Sequence, residues 1–416
     1  MKIFDFYTLF VLSGLVISTN HAEASGPDLS DLLRLAMENN PGIQAEKYRR
    51  DAEDSRITSS ATLDDPMIGL STLNRGNETR YAVISQKVRF PVKYFLQADI
   101  QFHQAEAQAQ VLREEELKLR GRVIELYYAI YSTQKTIELT KANIDAVREF
   151  ARVAERKYAA GKATQSDSMK AHFEITQLEL EKIRLEQKEN SLQVFLRESI
   201  NDEEYQRIEF FKQTLTAPVL NDRVATENKI DIGSSPLLAR ADANYEKMES
   251  GSALASWEFA PDLQFQYQQR ISGNPVDSKI YSINISFPLW FWRKSAESSA
   301  AAAGALEAEM RKLQTLRKVH AKAFDLKTSV ISDAKAIKIY ETSLIPQAVG
   351  AYNASQSAYR ANKTSFLNLL DSERSLFRVR QSYYQVLEGF VKKLTDLEVM
   401  LGSSVSTLPK YTETKE

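Results

Sequence analysis

The 416-residue chain contains no cysteine. That removes disulfide frameworks, thiolate zinc sites, iron–sulfur clusters, Cys nucleophiles and acylation of an N-terminal Cys. Glycine and proline are scarce, at 14 and 11 residues, about half of what average usage gives, so long uninterrupted elements are expected. An excess of either charge is also missing. The 54 Lys+Arg nearly balance 55 Asp+Glu, which offers no bulk attraction to nucleic acid or an anionic surface; no nucleic-acid partner is expected. After Ile17 no window approaches the ~18 apolar residues of a spanning helix, so any membrane crossing must use β-strands. What is present suffices for a large core: 43% of residues are hydrophobic and 26% charged, which argues against wholesale disorder.

The first residues read as a secretory signal. Lys2 precedes an apolar stretch from Phe6 to Ile17, broken only by Thr8, Ser13 and Gly14, and Ala22-Glu23-Ala24 forms a small-x-small cleavage site. Residues 1–24 are therefore predicted to be a signal peptide with a mature start at Ser25, which places the protein outside the bacterial inner membrane. Asp5 weakens the basic region and leaves an uncleaved anchor as the alternative.

Proline landmarks organise the remainder. Asn40-Pro41, Asp65-Pro66 and Phe90-Pro91 recur as Ser235-Pro236, Ala260-Pro261 and Phe287-Pro288, and the Tyr158 to Thr164 stretch has its counterpart in Tyr359 to Ser365. Four landmarks in the same order argue for a tandem duplication. The predicted organisation is a first repeat over 25–205, a linker or equatorial region over 206–229, a second repeat over 230–402 and a C-terminal tail over 403–416.

Within each repeat the hydrophobic period changes in the same order. Leu29 to about Ala61 reads as a helix that Asp28 or Ser30 can cap. A proline-bounded alternating span follows. It is clearest in Leu263–Gln268 and Tyr281–Phe287, apolar at every second residue and separated by the Ser272-Gly-Asn-Pro275 turn, and weaker in Met67–Leu73 and Arg80–Phe90 around the Asn74-Arg-Gly76-Asn turn. Each repeat thus supplies two strands of the length that crosses a bilayer when tilted. Lys93 to Tyr158 then runs without proline, a helix of about 100 Å. Arg293 to Tyr359 matches it, with a kink expected at Pro346. Leu178, Leu185 and Leu192 share one heptad position in the helix that returns from Gly161. Such narrow apolar stripes call for packing against several neighbours.

Four strands cannot close a barrel, and an open sheet edge is intolerable in lipid because its backbone groups find no water there. Several chains must therefore contribute. Three copies give twelve strands, within the range of outer-membrane barrels. The fold class expected is mainly α with membrane β: a long coiled-coil helical barrel joined to a trimeric twelve-stranded β-barrel. Phe90, Tyr94 and Phe95, with Phe287, Trp290, Phe291 and Trp292, bracket the strand-to-helix junctions and suit a membrane-interface girdle; the plainer reading is that they cap a soluble core.

These features together resemble the TolC-like outer-membrane efflux family. The matching residues are Asn39-Asn40-Pro41-Gly-Ile43, Asp64-Asp65-Pro66, Phe90-Pro91-Val-Lys93, Tyr158-x-x-Gly161 followed by Asp167, and Leu344-Ile-Pro346-Gln-Ala348 leading to Tyr359 and Leu369-Leu370-Asp371. Each is weak alone; their order and spacing over nearly the whole mature chain carry the likeness. The resemblance implies a homotrimer in outer-membrane lipid with a twelve-helix periplasmic tunnel, docking a periplasmic adaptor (membrane fusion) protein and an inner-membrane pump of RND type, with no cofactor. Asp64-Asp65-Pro66-Met67 is similar to subgroups that serve heavy-metal pumps. Two departures stand out: the lipidated N-terminal Cys of many relatives is absent, and Asn362 replaces the usual Gly of the second tip, Asn being the next best residue for a left-handed turn.

Candidate functional residues follow from the same likeness. The adaptor-docking tips are Gly161, Lys162, Ala163 and Thr164 with Asn362, Lys363, Thr364 and Ser365. The channel constriction is assigned to Asp167 and Asp371, placed on the first turns of their helices, with Asn368 replacing a further acidic position. Rings of like charge attract cations, whereas a carboxylate in a first turn also stabilises the helix start; both roles stay open for Asp167. Catalysis finds little support. Glu114–Glu116, His103 and His172 come with no GxSxG, HExxH, P-loop or Rossmann pattern, and His172 near Asp167 lacks a third metal ligand. The function expected is the exit duct of a tripartite efflux system for small solutes such as metal cations or drugs. A type I protein-secretion channel and a secreted structural coiled coil are the alternatives.

Overall fold

A computed structural model describes residues 28–74, 78–161, 164–203, 205–210, 213–221, 230–273, 279–407 and 412–413. The predicted signal peptide, Lys162, Ala163, the centres of both hairpin turns, residues 211–212 and 222–229 of the linker and residues 408–411 and 414–416 of the tail lie outside these residues.

The opening helical span is two helices, α1 (Leu29–Asn39) and α2 (Pro41–Ala61). A single helix was expected, and Asn40 is what divides it. Its extended backbone ends α1, its side-chain oxygen accepts from the Gly42 and Ile43 N–H groups, and Pro41 starts α2 with no donor to satisfy. Strands β1 (Met67–Asn74) and β2 (Glu78–Val88) lead into α3 (Pro91–Ala159), 69 residues without a break. α4 (Gln165–Ile200) returns beside it. After the short strands β3 (Gln213–Thr214) and β4 (Val219–Leu220), the order helix, two strands, long helix recurs in α5 (Pro236–Trp257), β5 (Asp262–Ser272), β6 (Lys279–Ser286) and α6 (Phe291–Ile339).

The kink expected at Pro346 is a five-residue π-helical turn, Tyr340–Leu344, after which α7 (Ile345–Arg360) continues with Pro346 in its first turn. Pro346 has no N–H to donate to the carbonyl four residues before it, and the widened turn accommodates the missing donor and the ring. α8 (Phe366–Leu401) is the last helix. Strands β7 (Ser406–Thr407) and β8 (Thr412–Glu413) of the tail pair with β4 and β3 respectively, tying the linker to the chain's end.

β1, β2, β5 and β6 form one antiparallel sheet in the order β1-β2-β5-β6, so β1 and β6 are open edges. The apolar core lies elsewhere, in two clusters along the helices. One joins α1, the middle of α3 and the ends of α4 and α8, where Tyr127 and Tyr131 pack edge-on against Phe210. The other lies near the far turns and joins Val147, Phe150 and Ala151 of α3, Ala171 of α4, Tyr359 of α7 and Phe366, Leu369 and Leu370 of α8. Among the described residues no helix is long and apolar enough to cross a membrane.

Candidate functional site: a two-faced sheet and paired helical tips

Register decides what each face of the sheet presents. Ile68 lies opposite Ile84, Ile84 opposite Tyr267 and Tyr267 opposite Tyr281; Phe265 lies opposite Ile283 and Leu263 opposite Ile285. Because side chains alternate with period two, these residues and Leu70 share one face. The other face carries Ser85, Gln264, Gln266, Gln268, Ser282, Asn284 and Ser286. The apolar face is open: Ile68 is 81% exposed and Ile283 66%. One sheet is therefore apolar on one side and, across β5 and β6, dominated by amides and hydroxyls on the other, with Ser85 of β2 beside them.

The sheet is fastened to the helices by a charge that the sequence does not advertise. Lys93, in the first turn of α3, is only 2% exposed. Its ammonium donates to Asp262 Oδ1 at 2.8 Å and to the Ala260 carbonyl at 2.9 Å, while the Phe90 N–H donates to the same Asp262 oxygen at 3.2 Å. The start of β5 is thus locked to the start of α3. Arg89 adds a second tie, donating to Asp64 Oδ1 at 2.9 Å. The predicted interface aromatics divide here. Phe90 stacks on Trp257 at 5.5 Å and the Tyr94 hydroxyl accepts from the Arg89 N–H, so both are engaged in the junction. Phe287, Trp290 and Trp292 are exposed, the two indoles lying 5.3 Å apart.

At the opposite end of the helices, Gly161 and Asn362 both have positive φ, 69° and 58°. In the second tip the Lys363 N–H donates to the Ala358 carbonyl and the Asn362 N–H to that of Tyr359, the paired bonds of a Schellman ending. Asn362 thus holds the left-handed position expected of it. Ser365 starts α8 by accepting from the Asn368 N–H at 3.3 Å, and Asn368 in turn donates to Thr364 Oγ1 at 3.1 Å. Lys157 joins the two tips: its ammonium lies 3.8 Å from the Tyr359 ring centre and donates to the Tyr359 carbonyl.

Asp167 is in the first turn of α4 and accepts from the Thr164 N–H at 3.4 Å, so the helix-start role is occupied. Asp371 is exposed. It is the sixth residue of α8, in the second turn and not the first as expected, because the helix starts only at Phe366. One turn deeper, Arg374 of α8 pairs with Glu174 of α4, its Nε donating at 3.0 Å. Glu373 beside it is buried, and burial together with the Glu174 charge pushes its carboxyl up to about 8 against the pull of Arg374. Neither glutamate was singled out in the sequence. The available signal was their position: Glu373 falls within the apolar stripe Leu369, Leu370, Leu376 and Phe377.

Of the groups weighed as catalytic or metal-binding, Glu114 is in ion pairs and the two histidines contact glutamates. Glu114 meets Arg240 at 2.9 Å and Lys118 at 2.7 Å, His172 meets Glu155 at 2.9 Å, and His103 lies 3.2 Å from Glu106. Among the described residues no three ligating side chains group for a metal.

Comparison with known proteins agrees with this geometry. Residues 32–201 match the family model "Outer membrane efflux protein". The cobalt-zinc-cadmium resistance protein CzcC of Cupriavidus metallidurans is 22% identical over 387 residues, covering 91% of each chain. Among solved structures, the outer-membrane channel OprN superposes with a TM-score of 0.79 at 13% identity over 90% of both chains. CusC, whose structures follow transmembrane channel formation, gives 0.77 at 12% identity over 90% of this chain and 92% of that one. With its two-faced sheet on long helical stems, the chain has the fold of the outer-membrane channels OprN and CusC, and over residues 32–201 it is similar to the outer membrane efflux protein family.

Proposed function

We propose that the chain is one third of a homotrimeric exit duct that carries small solutes, metal cations foremost, from an inner-membrane pump of RND type and a periplasmic adaptor across the outer membrane. The observation that carries the trimer is the open sheet: β1 and β6 are unpaired edges on a sheet with one apolar face, and lipid tolerates such a sheet only when neighbouring copies close it. Three copies make twelve strands, with Ile68, Leu70, Phe265, Ile283 and Ile285 toward lipid and the Gln264, Gln266 and Gln268 row toward the lumen. Phe287, Trp290 and Trp292 then sit at the level where barrel gives way to water. The helices continue as a tunnel whose far turns, at Gly161 and Asn362, present six tips to the adaptor. Asp371, exposed just inside its tip, forms a ring of three in the constriction.

The metal-cation reading draws on the name of the Cupriavidus relative. Deleting the gene and challenging cells with cobalt, zinc and cadmium tests it. Heightened metal sensitivity, restored by the wild-type gene, is expected. Unchanged metal tolerance together with drug sensitivity would reassign the cargo, and loss of a secreted protein would favour the type I alternative.

A further inference from the structure

Two glutamates occupy the apolar seam where α4 meets α8. Glu174 lies between Ala171 and Leu178 on α4, and Glu373 lies one turn beyond Leu369 and Leu370 on α8. They are 7% and 5% exposed. Glu174 is neutralised across the seam by Arg374, whose Nε and Nη2 both donate to Glu174 Oε2. Glu373 Oε2 is buried without a hydrogen-bond partner. One guanidinium therefore stands beside two carboxylates and is bonded to one of them, at the edge of an apolar cluster.

We infer that Glu373, Glu174 and Arg374 form a pH-sensitive latch that keeps the two returning helices together near the tips while Glu373 is protonated and loosens them when it ionises. From α4 the group faced is Glu174; from α7 it is Tyr352, whose hydroxyl is pushed up by burial and by Glu373; on α8 itself it is Arg374, with Asp371 farther off. The nearby α3 residues, Val147 and Ala151, are not titratable. Protonated, Glu373 adds no charge and leaves the Glu174–Arg374 bridge intact. Ionised, it places a second negative charge beside Glu174 in a dry seam, which both desolvation and repulsion oppose. The unfolded carboxyl titrates near its ordinary value of 4.5 and the buried one near 8, so the seam is firmest on the acid side and weakens as pH climbs between those values.

The consequence for transport rests on the reading of the tips as the constriction, and two readouts separate the claims. Full-length trimers carry nitroxides at Met169→Cys on α4 and Leu367→Cys on α8, both exposed positions in a chain with no native cysteine, and unlabelled trimers are reconstituted in planar bilayers. Between about pH 6 and about pH 9 the wild-type label distances should broaden and the conductance should rise several-fold. Glu373→Gln should hold both at their acid-side values across the range. Glu174→Gln removes the repulsion and frees Arg374, so its transition should move toward acid by roughly one pH unit or more. A pH-dependent distance with constant conductance would uphold the latch and overturn the constriction reading. Label distances that do not respond to pH, or that respond equally in Glu373→Gln and wild type, would overturn the latch.

Discussion

At the sheet end of the chain, β5 is locked to α3 by a buried ammonium with two oxygen partners, and the backbone of all four strands is paired except at the two edges. At the tip end, α3, α4, α7 and α8 meet through an apolar cluster seated around Tyr359 and Phe366, with the Arg374–Glu174 pair between α8 and α4 and a carboxylate oxygen of Glu373 lacking a partner. The sheet end has little it can give up without losing the fold. The tip end has interactions whose strength depends on protonation and on two short turns. The exit duct proposed above would need that division: a barrel closed against lipid and a mouth that can change.

The two long helical stems differ in the same sense. α3 runs its full length without interruption, whereas its later counterpart is broken by the π turn at Tyr340–Leu344. The Tyr383 hydroxyl donates to Glu341 in that turn at 2.9 Å, and burial followed by the Glu341 contact pushes the Tyr383 hydroxyl far up, so it stays a donor at any working pH. The α7–α8 pair therefore joins the body through a π-helical turn, and the α3–α4 pair through an uninterrupted α-helix.

The largest expected effect tests the sheet end. Lys93→Ala leaves Asp262 and the Ala260 carbonyl without their shared donor, and removing one partner of a buried pair costs about 3–5 kcal/mol. Trimer yield in outer-membrane fractions should collapse. Normal yield and thermal stability would show that the junction is held by the Phe90–Trp257 stack and strand pairing alone. Next comes the apolar face. Ile283→Arg should cost about 2–4 kcal/mol per chain near the bilayer midplane, while Ser282→Arg, one residue along on the polar face, should leave assembly intact. Heat-modifiable migration of the trimer reads both, and equal behaviour of the two variants would reverse or abolish the assignment of faces.

How far the sequence shows each end follows from the same contrast. β5 and β6 were legible because strict alternation survives in Phe265-Gln-Tyr267 and Tyr281-Ser-Ile283-Asn-Ile285; β1 and β2 alternate less and were placed mainly by their prolines. The irregular turn before Pro346 was legible from a residue that removes one helical donor. The break at Asn40-Pro41 carries the same signal, yet the charged period on both sides of it masked the cap. Glu174 and Glu373 were opaque, and Lys93 was visible only as a member of the Phe90-Pro91-Val-Lys93 likeness, not as a buried charge. On helices this rich in Lys and Glu a buried charge looks like any solvated one until the neighbouring stripe is known, and only packing reveals that Glu373 falls among Leu369, Leu370 and Phe377.

At the tips the expected effects are smaller in stability and larger in function. Gly161 has φ of 69° and nothing within 4 Å of an added Cβ, so Gly161→Val meets backbone strain only, of about 1–3 kcal/mol, without a steric clash. Trimers should insert normally and lose adaptor crosslinking and export. Unchanged crosslinking would make the turn a simple helix ending.

The smallest stability change belongs to the two aspartates, and it separates a pore role from a capping role. Asp167 accepts from the Thr164 N–H, so Asp167→Asn should cost about 0.3–1 kcal/mol through the weakened start of α4. Asp371 has no place in a first turn, and Asp371→Asn should leave the melting temperature unchanged. In planar bilayers the order reverses. Removing a ring of three exposed carboxylates lowers the local cation concentration, so Asp371→Asn should reduce cation preference and weaken block by multivalent cations. Asp167→Asn should do less, because its carboxylate is partly engaged with the backbone. If Asp371→Asn keeps wild-type selectivity and block while Asp167→Asn changes them, the constriction is set by the α3–α4 tip, and the uninterrupted stem would then be the one that moves.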